Sequence, residues 1–220
     1  MTTVFYIGDS TVAYNNIHSY PQTGMSQGLR LYLSEQVRIV SLAKNGRSTK
    51  SFLDEGRFAP AIDELQSGDF LFIQFGHNDE KEDPARHTDP DTTFRENLRF
   101  FIREARKKGA YPVLITPIAR RLFDGEGHFL PGSHGAYPEA IRQTGTEMGV
   151  PVADLTAMTE DFLEKTGDAG SKPLYMWPKD NTHLKPEGAV VMAGFLAEIL
   201  HGLGGMYAAL LAPDTEGAGK

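Results

Sequence analysis

Ser10 stands in Ile7-Gly8-Asp9-Ser10-Thr11, directly after the apolar run Val4-Phe5-Tyr6-Ile7. Such a run predicts a buried strand, and a serine at its carboxyl end is raised to the sheet rim where ligands bind in open α/β folds. A serine hydroxyl is a weak nucleophile until a base takes its proton. His183 is the candidate base, and Asp180, three residues earlier, its candidate partner. In a turn, this spacing lets the carboxylate reach Nδ1 while Nε2 faces the serine. The carboxylate then fixes the tautomer and stabilises the imidazolium as it forms. Alone, Asp180-x-x-His183 is also the pattern of a loop pair capping the helix that opens at Pro186-Glu187-Gly188.

Attack of a serine on an acyl carbon needs hydrogen-bond donors where the oxyanion develops, each contributing about 2.7–4 kcal/mol in the transition state. The Ser10 N–H is one candidate. Gly46 is a second, because a residue without Cβ lets backbone approach a substrate. The Asn78 side-chain amide is a third. Singly, Gly46 is also a turn glycine and Asn78 a turn or helix cap. Jointly, Ser10, Gly46 and Asn78 each follow a successive strand, and in a doubly wound sheet those three carboxyl ends lie side by side.

The elements that must position these residues are legible as alternating patterns. Apolar runs at 3–7, 38–42, 69–75, 111–116 and 150–154 predict five strands, several of them apolar on successive residues, as in strands covered on both faces. Helical segments lie between them. In the clearest, about 93–108, Phe94, Leu98, Phe101, Ile102 and Ala105 form one stripe, Thr93 with Glu96 suggests a capping box, and Gly109 a stop. The βαβ alternation implies a mostly parallel sheet with helices on both faces and right-handed crossovers. One domain over 1–211 and a disordered tail over 212–220 are expected. The Gly-rich stretch 122–135 is a long loop of the kind that is more often functional than idle.

Bulk properties exclude several classes. The net charge is −7 over 220 residues, which argues against an unaided nucleic-acid binder. There is no cysteine, hence no disulfide, thiolate catalysis or Cys-ligated zinc. No run of 18 apolar residues is present, so no membrane helix is expected. Met1-Thr2-Thr3 runs straight into a strand without a leader pattern, and the expected location is cytoplasmic unless a leader was trimmed.

Gly8-Asp9-Ser10, Gly46, Gly76-His77-Asn78-Asp79 and Asp180-x-x-His183, in this order, resemble the four blocks of the SGNH hydrolase superfamily of the GDSL type. The resemblance spans residues 4–190. It implies a three-layer α/β/α flavodoxin-like fold, serine esterase chemistry and no metal or other cofactor. The nucleophile block reads Gly-Asp-Ser-Thr here, not Gly-Asp-Ser-Leu, so Thr11 is expected to alter the packing beneath the serine and not its chemistry.

Gly8-Asp9-Ser10-Thr11-Val12, the stretch 43–52, Phe75-Gly76-His77-Asn78-Asp79 and Pro117-Ile118-Ala119-Arg120-Arg121 are further similar to the rhamnogalacturonan acetylesterase branch. That similarity implies release of acetate from acetylated pectic oligosaccharides, with no nucleic-acid or membrane partner. The other readings are a lysophospholipase, thioesterase or aryl esterase of the same superfamily, or an inactive carbohydrate-binding protein. Repulsion of an acidic substrate by the net charge is screened beyond about 8 Å. Local cations therefore decide, and Lys44, Arg47, Lys50, Arg57 and the pair Arg120-Arg121 cluster near strand exits. Arg47 and Arg120 are candidates to bind a uronate bidentately, Trp177 to stack on a sugar ring, and His77 to touch substrate or order its turn. The alternatives are a solvated basic face and a core anchor. His128 and His134 are placed on the long loop, within reach of substrate. The oligomeric state is not written in the sequence.

Overall fold

The computed structural model of the chain describes residues 1–213. Five apolar runs form the strands β1 (Thr2–Gly8), β2 (Val37–Ser41), β3 (Phe70–Gln74), β4 (Tyr111–Ile115) and β5 (Val152–Ala153). All four pairings are parallel and the order is β2-β1-β3-β4-β5. Parallel neighbours need long crossovers, which helices supply. α1 (Met25–Leu29) joins β1 to β2, and α2 (Thr49–Asp54) with α3 (Ala59–Glu64) joins β2 to β3. α4 (Thr93–Lys107) and α5 (Tyr137–Met148) lead into β4 and β5, and α6 (Leu155–Ser171), α7 (Pro186–Leu203) and α8 (Gly205–Ala208) follow.

The period-2 alternation of side chains along each strand divides the core into two. Val4, Tyr6, Phe72, Val113 and Ile115 face one way and pack with Leu163 of α6 and with Met192, Leu196 and Leu200 of α7. Phe5, Ile7, Leu71, Ile73 and Leu114 face the other way and pack with Phe52 of α2, the α4 stripe and Ile141 of α5. The result is the expected three-layer α/β/α, flavodoxin-like sandwich. The α4 stripe is as read from sequence: Phe94, Leu98, Phe101, Ile102 and Ala105 are all buried. Each fully buried large apolar side chain contributes about 1.5–3 kcal/mol.

Two local expectations are corrected. The Thr93–Glu96 capping box does not form. Thr92 is the cap residue without a side-chain cap bond, and Thr93 Oγ1 instead accepts the Asp89 N–H at 2.8 Å. The fifth strand is two residues long rather than five, because the Val150 N–H closes α5 on Gly145 O and Pro151 has no N–H for a ladder. Of the tail expected to be disordered, 214–220 lie outside the described residues, and Ala212 donates its N–H to Tyr32 O at 2.9 Å. Among the described residues no helix is long and apolar enough to cross a membrane.

Candidate active site

β1 ends at Gly8, where a Cβ would stand 2.5 Å from Gln74 O of the neighbouring strand, so only glycine permits this approach. The chain then turns sharply. Asp9 O accepts the Val12 and Ala13 N–H groups, and Ser10 sits on the turn, 8% exposed. Thr11 is buried, and both its N–H and its hydroxyl donate to Asp9 Oδ1, at 2.9 and 2.8 Å. A leucine at this position has no hydroxyl to give, so the threonine changes the polar wiring under the serine as well as the packing. Burial raises the Asp9 carboxyl above its ordinary range, against the two Thr11 bonds.

The loop after β2 is tied to the same spot by the Lys44 N–H, which donates to Gly8 O at 3.0 Å. Gly46 has φ +77° and open space where a Cβ would lie. The positive φ selects glycine, and the open space leaves room for a ligand. After β3, Asn78 donates one Nδ2 hydrogen to Arg47 O at 3.1 Å, while its Oδ1 accepts from Arg86 Nη1 at 3.3 Å. Those two bonds fix which way the amide points and leave its second N–H unused. Among the described residues the Ser10 and Gly46 N–H groups also have no acceptor. Three donors that follow three adjacent strands are thus unengaged at one rim.

Asp79 anchors the asparagine block. Its Oδ1 accepts Thr49 N–H at 3.0 Å, Thr49 Oγ1 at 2.5 Å and Thr88 Oγ1 at 3.0 Å, pinning the start of α2. Its Oδ2 is buried with no partner. Burial pushes this carboxyl up to about 7, against the threonine bonds, with the nearby Asp9 charge adding to the rise.

Asp180 and His183 follow no strand. They sit in the turn between Tyr175 and Leu184, which close an antiparallel bridge. The turn is fastened by Met176 N–H to His183 O at 2.8 Å, Arg121 N–H to Asn181 O at 2.8 Å and Thr23 N–H to Leu184 O at 2.9 Å. Asp180 Oδ1 accepts the N–H groups of Thr182 (2.9 Å) and His183 (2.7 Å), and Oδ2 faces His183 Nδ1 at 3.1 Å. Partial burial raises the Asp180 carboxyl, but the His183 and Thr182 N–H bonds and the imidazole outweigh it, so it lies below the ordinary value and stays ionised. An ionised carboxylate only accepts, so Nδ1 carries the hydrogen and Nε2 is left as an acceptor. Nε2 lies 2.9 Å from Ser10 Oγ, within hydrogen-bond reach across 173 residues of sequence.

The other residues singled out in the sequence are placed as follows. Arg47 and Arg57 both pair with Glu55, and Lys50 pairs with Asp54. Arg120 donates to Thr182 Oγ1 at 3.0 Å and to His77 O at 3.3 Å, and pairs with Glu80. It joins the third and fourth strand exits to the turn that carries Asp180 and His183. Arg121 is buried at 2% exposure, bound to Asp168 and Ser171. His77 is buried, its ring edge-on to His134 at 4.4 Å, and burial drives it well below the ordinary imidazole value, so it is neutral. His134 faces two acceptors, Ile118 O at 2.8 Å and Glu80 Oε2 at 3.0 Å, and lies inside the protein. His128 is exposed and bonded to Asp124. Trp177 is 40% exposed. Sequence reasoning missed Arg86, Glu80 and Thr182. Arg86 lies eight residues beyond Asn78 in an irregular segment, where no periodicity assigns a direction to a side chain.

Among the described residues no group of three His, Asp or Glu side chains is arranged to hold a metal ion. What the site offers is a hydroxyl on an imidazole, the imidazole on a carboxylate, and three free N–H donors nearby. That is the constellation of acyl transfer.

The fold and site define a carboxylic ester hydrolase of the SGNH class. The chain belongs to the GDSL-like lipase/acylhydrolase family, which it matches over residues 6–191. It is 39% identical over 213 residues to the rhamnogalacturonan acetylesterase RhgT of Bacillus subtilis, covering 91% of this chain and 90% of that one. It is 37% identical over 206 residues to the probable rhamnogalacturonan acetylesterase YesY of the same organism, covering 91% and 93%. Among solved structures, protein YxiM of Bacillus subtilis superposes with a TM-score of 0.82 at 25% identity, over 92% of this chain and 56% of that one. The acetylxylan esterase Axe2 of Geobacillus stearothermophilus shares the fold with a TM-score of 0.66 at 18% identity, over 94% and 95%.

Proposed function

We propose that the protein is a carbohydrate acetylesterase that releases acetate from acetylated pectic, rhamnogalacturonan-type oligosaccharides through an acyl-enzyme. The observation that carries the chemistry is the 2.9 Å approach of His183 Nε2 to Ser10 Oγ, with Asp180 on the far side of the ring. Ser10 Oγ attacks the acetyl carbonyl carbon as its proton passes to Nε2. The carbonyl oxygen becomes an oxyanion held by the Ser10 N–H, the Gly46 N–H and the free Asn78 Nδ2 hydrogen. Collapse of this intermediate breaks the bond to the sugar oxygen, which takes the proton from His183 and leaves. Water then gives a proton to His183 and adds to the acyl carbon, and a second collapse frees acetate and returns the proton to Ser10.

Two features support a sugar ester over a long acyl chain. The relatives named above include acetylesterases of rhamnogalacturonan. The cavity beside the catalytic turn is lined by charged side chains, among them Asp124, Glu126, Asp168 and Lys172, which is a poor lining for an alkyl tail. The decisive experiment compares acetate release from acetylated rhamnogalacturonan and acetylated xylan oligosaccharides. The pectic substrate is expected to have the higher kcat/KM, and a clear preference for the xylan substrate rules out the pectic assignment. Full retention of hydrolysis in Ser10→Ala rules out the mechanism.

A further inference from the structure

A cavity of about 420 Å³ lies against the catalytic turn. This is within the size range of small-ligand clefts. One wall is the strap 122–130, where Phe123 and Phe129 form an antiparallel bridge. A second is the end of α6, with Asp168, followed by Lys172. The third is Trp177 and Asn181, from the same turn as Asp180 and His183. The Trp177 ring is held by the buried Arg121 guanidinium, 4.8 Å from its centroid, which lies 5.0 Å from the Phe123 ring on its other contact. The indole is thereby fixed while 40% of the residue stays exposed. Lys172 Nζ also lies over the ring, 5.4 Å from its centroid, and the part of this rigid indole that stays exposed is a platform for the C–H face of a sugar ring.

The charges select among sugars. Two cations, Arg121 and Lys172, face three carboxylates, Asp124, Glu126 and Asp168. Both cations are already bound to Asp168. Asp124 is occupied by the N–H groups of Glu126 and His128 and by the His128 ring. Glu126 is left, its side chain 85% exposed, with only His128 at 3.8 Å. An incoming carboxylate therefore meets negative charge with no unpaired Arg or Lys to receive it, whereas hydroxyl groups find acceptors.

We infer that this cavity is a subsite for a neutral pyranose ring of the substrate and that it disfavours a uronate ring. The inference rests on the proposed carbohydrate esterase function and adds to it the position at which the neutral sugar of a mixed neutral and uronate chain is held, in the cavity lined by Trp177 and Asn181 of the turn that carries Asp180 and His183.

Trp177 is the only tryptophan of the chain, so its emission reports on this cavity alone. In full-length Ser10→Ala protein, titration with rhamnose is expected to give a saturable change in emission in the millimolar range, and galacturonate to need about tenfold more. Glu126→Lys is expected to close that gap to less than about threefold. Equal affinity for the two sugars, or no saturable response to rhamnose, overturns the inference. In the active enzyme, Trp177→Ala is expected to raise KM for an acetylated rhamnogalacturonan oligosaccharide about tenfold with kcat within about threefold. A fall in kcat with KM unchanged makes Trp177 a support of the catalytic turn and overturns the subsite. The titration needs no turnover, so it stands or falls separately from the esterase mechanism, which the hydrolytic activity of Ser10→Ala decides.

Discussion

The two halves of the site are built on different principles. Ser10, Gly46 and Asn78 follow β1, β2 and β3, three adjacent strands of the sheet of which β2 is the edge, and the backbone that presents them is an extension of the sheet. Asp180 and His183 follow no strand. They depend on a turn fastened by single hydrogen bonds from Thr23, Arg120 and Arg121. The first half is thus set by fold topology, and its accuracy is that of the packed sheet. The second is set by a few polar contacts and can shift when one is lost. A site positioned on rigid elements is held more closely than one on loops.

Several substitutions break or sharpen this contrast. The largest effect is expected at the junction of the halves. Ser10→Ala and His183→Ala should each lower kcat on p-nitrophenyl acetate by about 10⁴-fold or more, and the double variant should lose little beyond either one. Additive losses in the double variant would mean the two residues do not act as one unit. Next is the sheet-rooted half. Asn78→Ala should lower kcat by about 10²–10³ with KM little changed. A change confined to KM would place Asn78 in substrate binding. In the fastened half, Arg120→Ala removes the bond to Thr182 next to His183 and should lower kcat by about tenfold. An effect on KM alone would return Arg120 to the uronate-binding role that its sequence position suggested.

The smallest effect concerns stability. Asp79 in the folded protein keeps its proton up to about 7, whereas an unfolded aspartate releases it near 3.9. The stability this group supplies is therefore full below about pH 4 and is lost as pH rises through 7. Asp79→Asn does not titrate, so its Tm relative to wild type should climb by several degrees between pH 4 and 8. A Tm difference independent of pH would remove Asp79 as the titrating group.

The sheet-rooted half was readable because strand ends are readable. Hydrophobic runs gave the five strands, and the residues after the first three runs proved adjacent once the strands paired. The α4 stripe was equally plain, since five apolar residues on one helical face admit one buried orientation. Failures came where the answer lay in a distant contact. The Thr93 cap was misassigned because Asp89, four residues upstream, takes the Thr93 hydroxyl. Arg120 and Arg121 looked like a basic rim, yet one bridges three loops and the other is buried under Trp177, and neither partner set is local in sequence. His134 lies on a Gly-rich loop but points inward to Glu80 and Ile118. Patterning reports local period and burial. It does not report which of several exposed-looking charges finds a partner 40 residues away.

The separation of Ser10 from His183 sets a condition on synthesis. The hydroxyl is made 173 residues before its imidazole, so a growing chain holds a serine without its base until the turn at 180–183 has emerged from the ribosome. Contacts of such long sequence range form late. Ester hydrolysis by ribosome-bound chains of graded length should therefore switch on abruptly, making turnover itself a gauge of when the turn at 180–183 has docked.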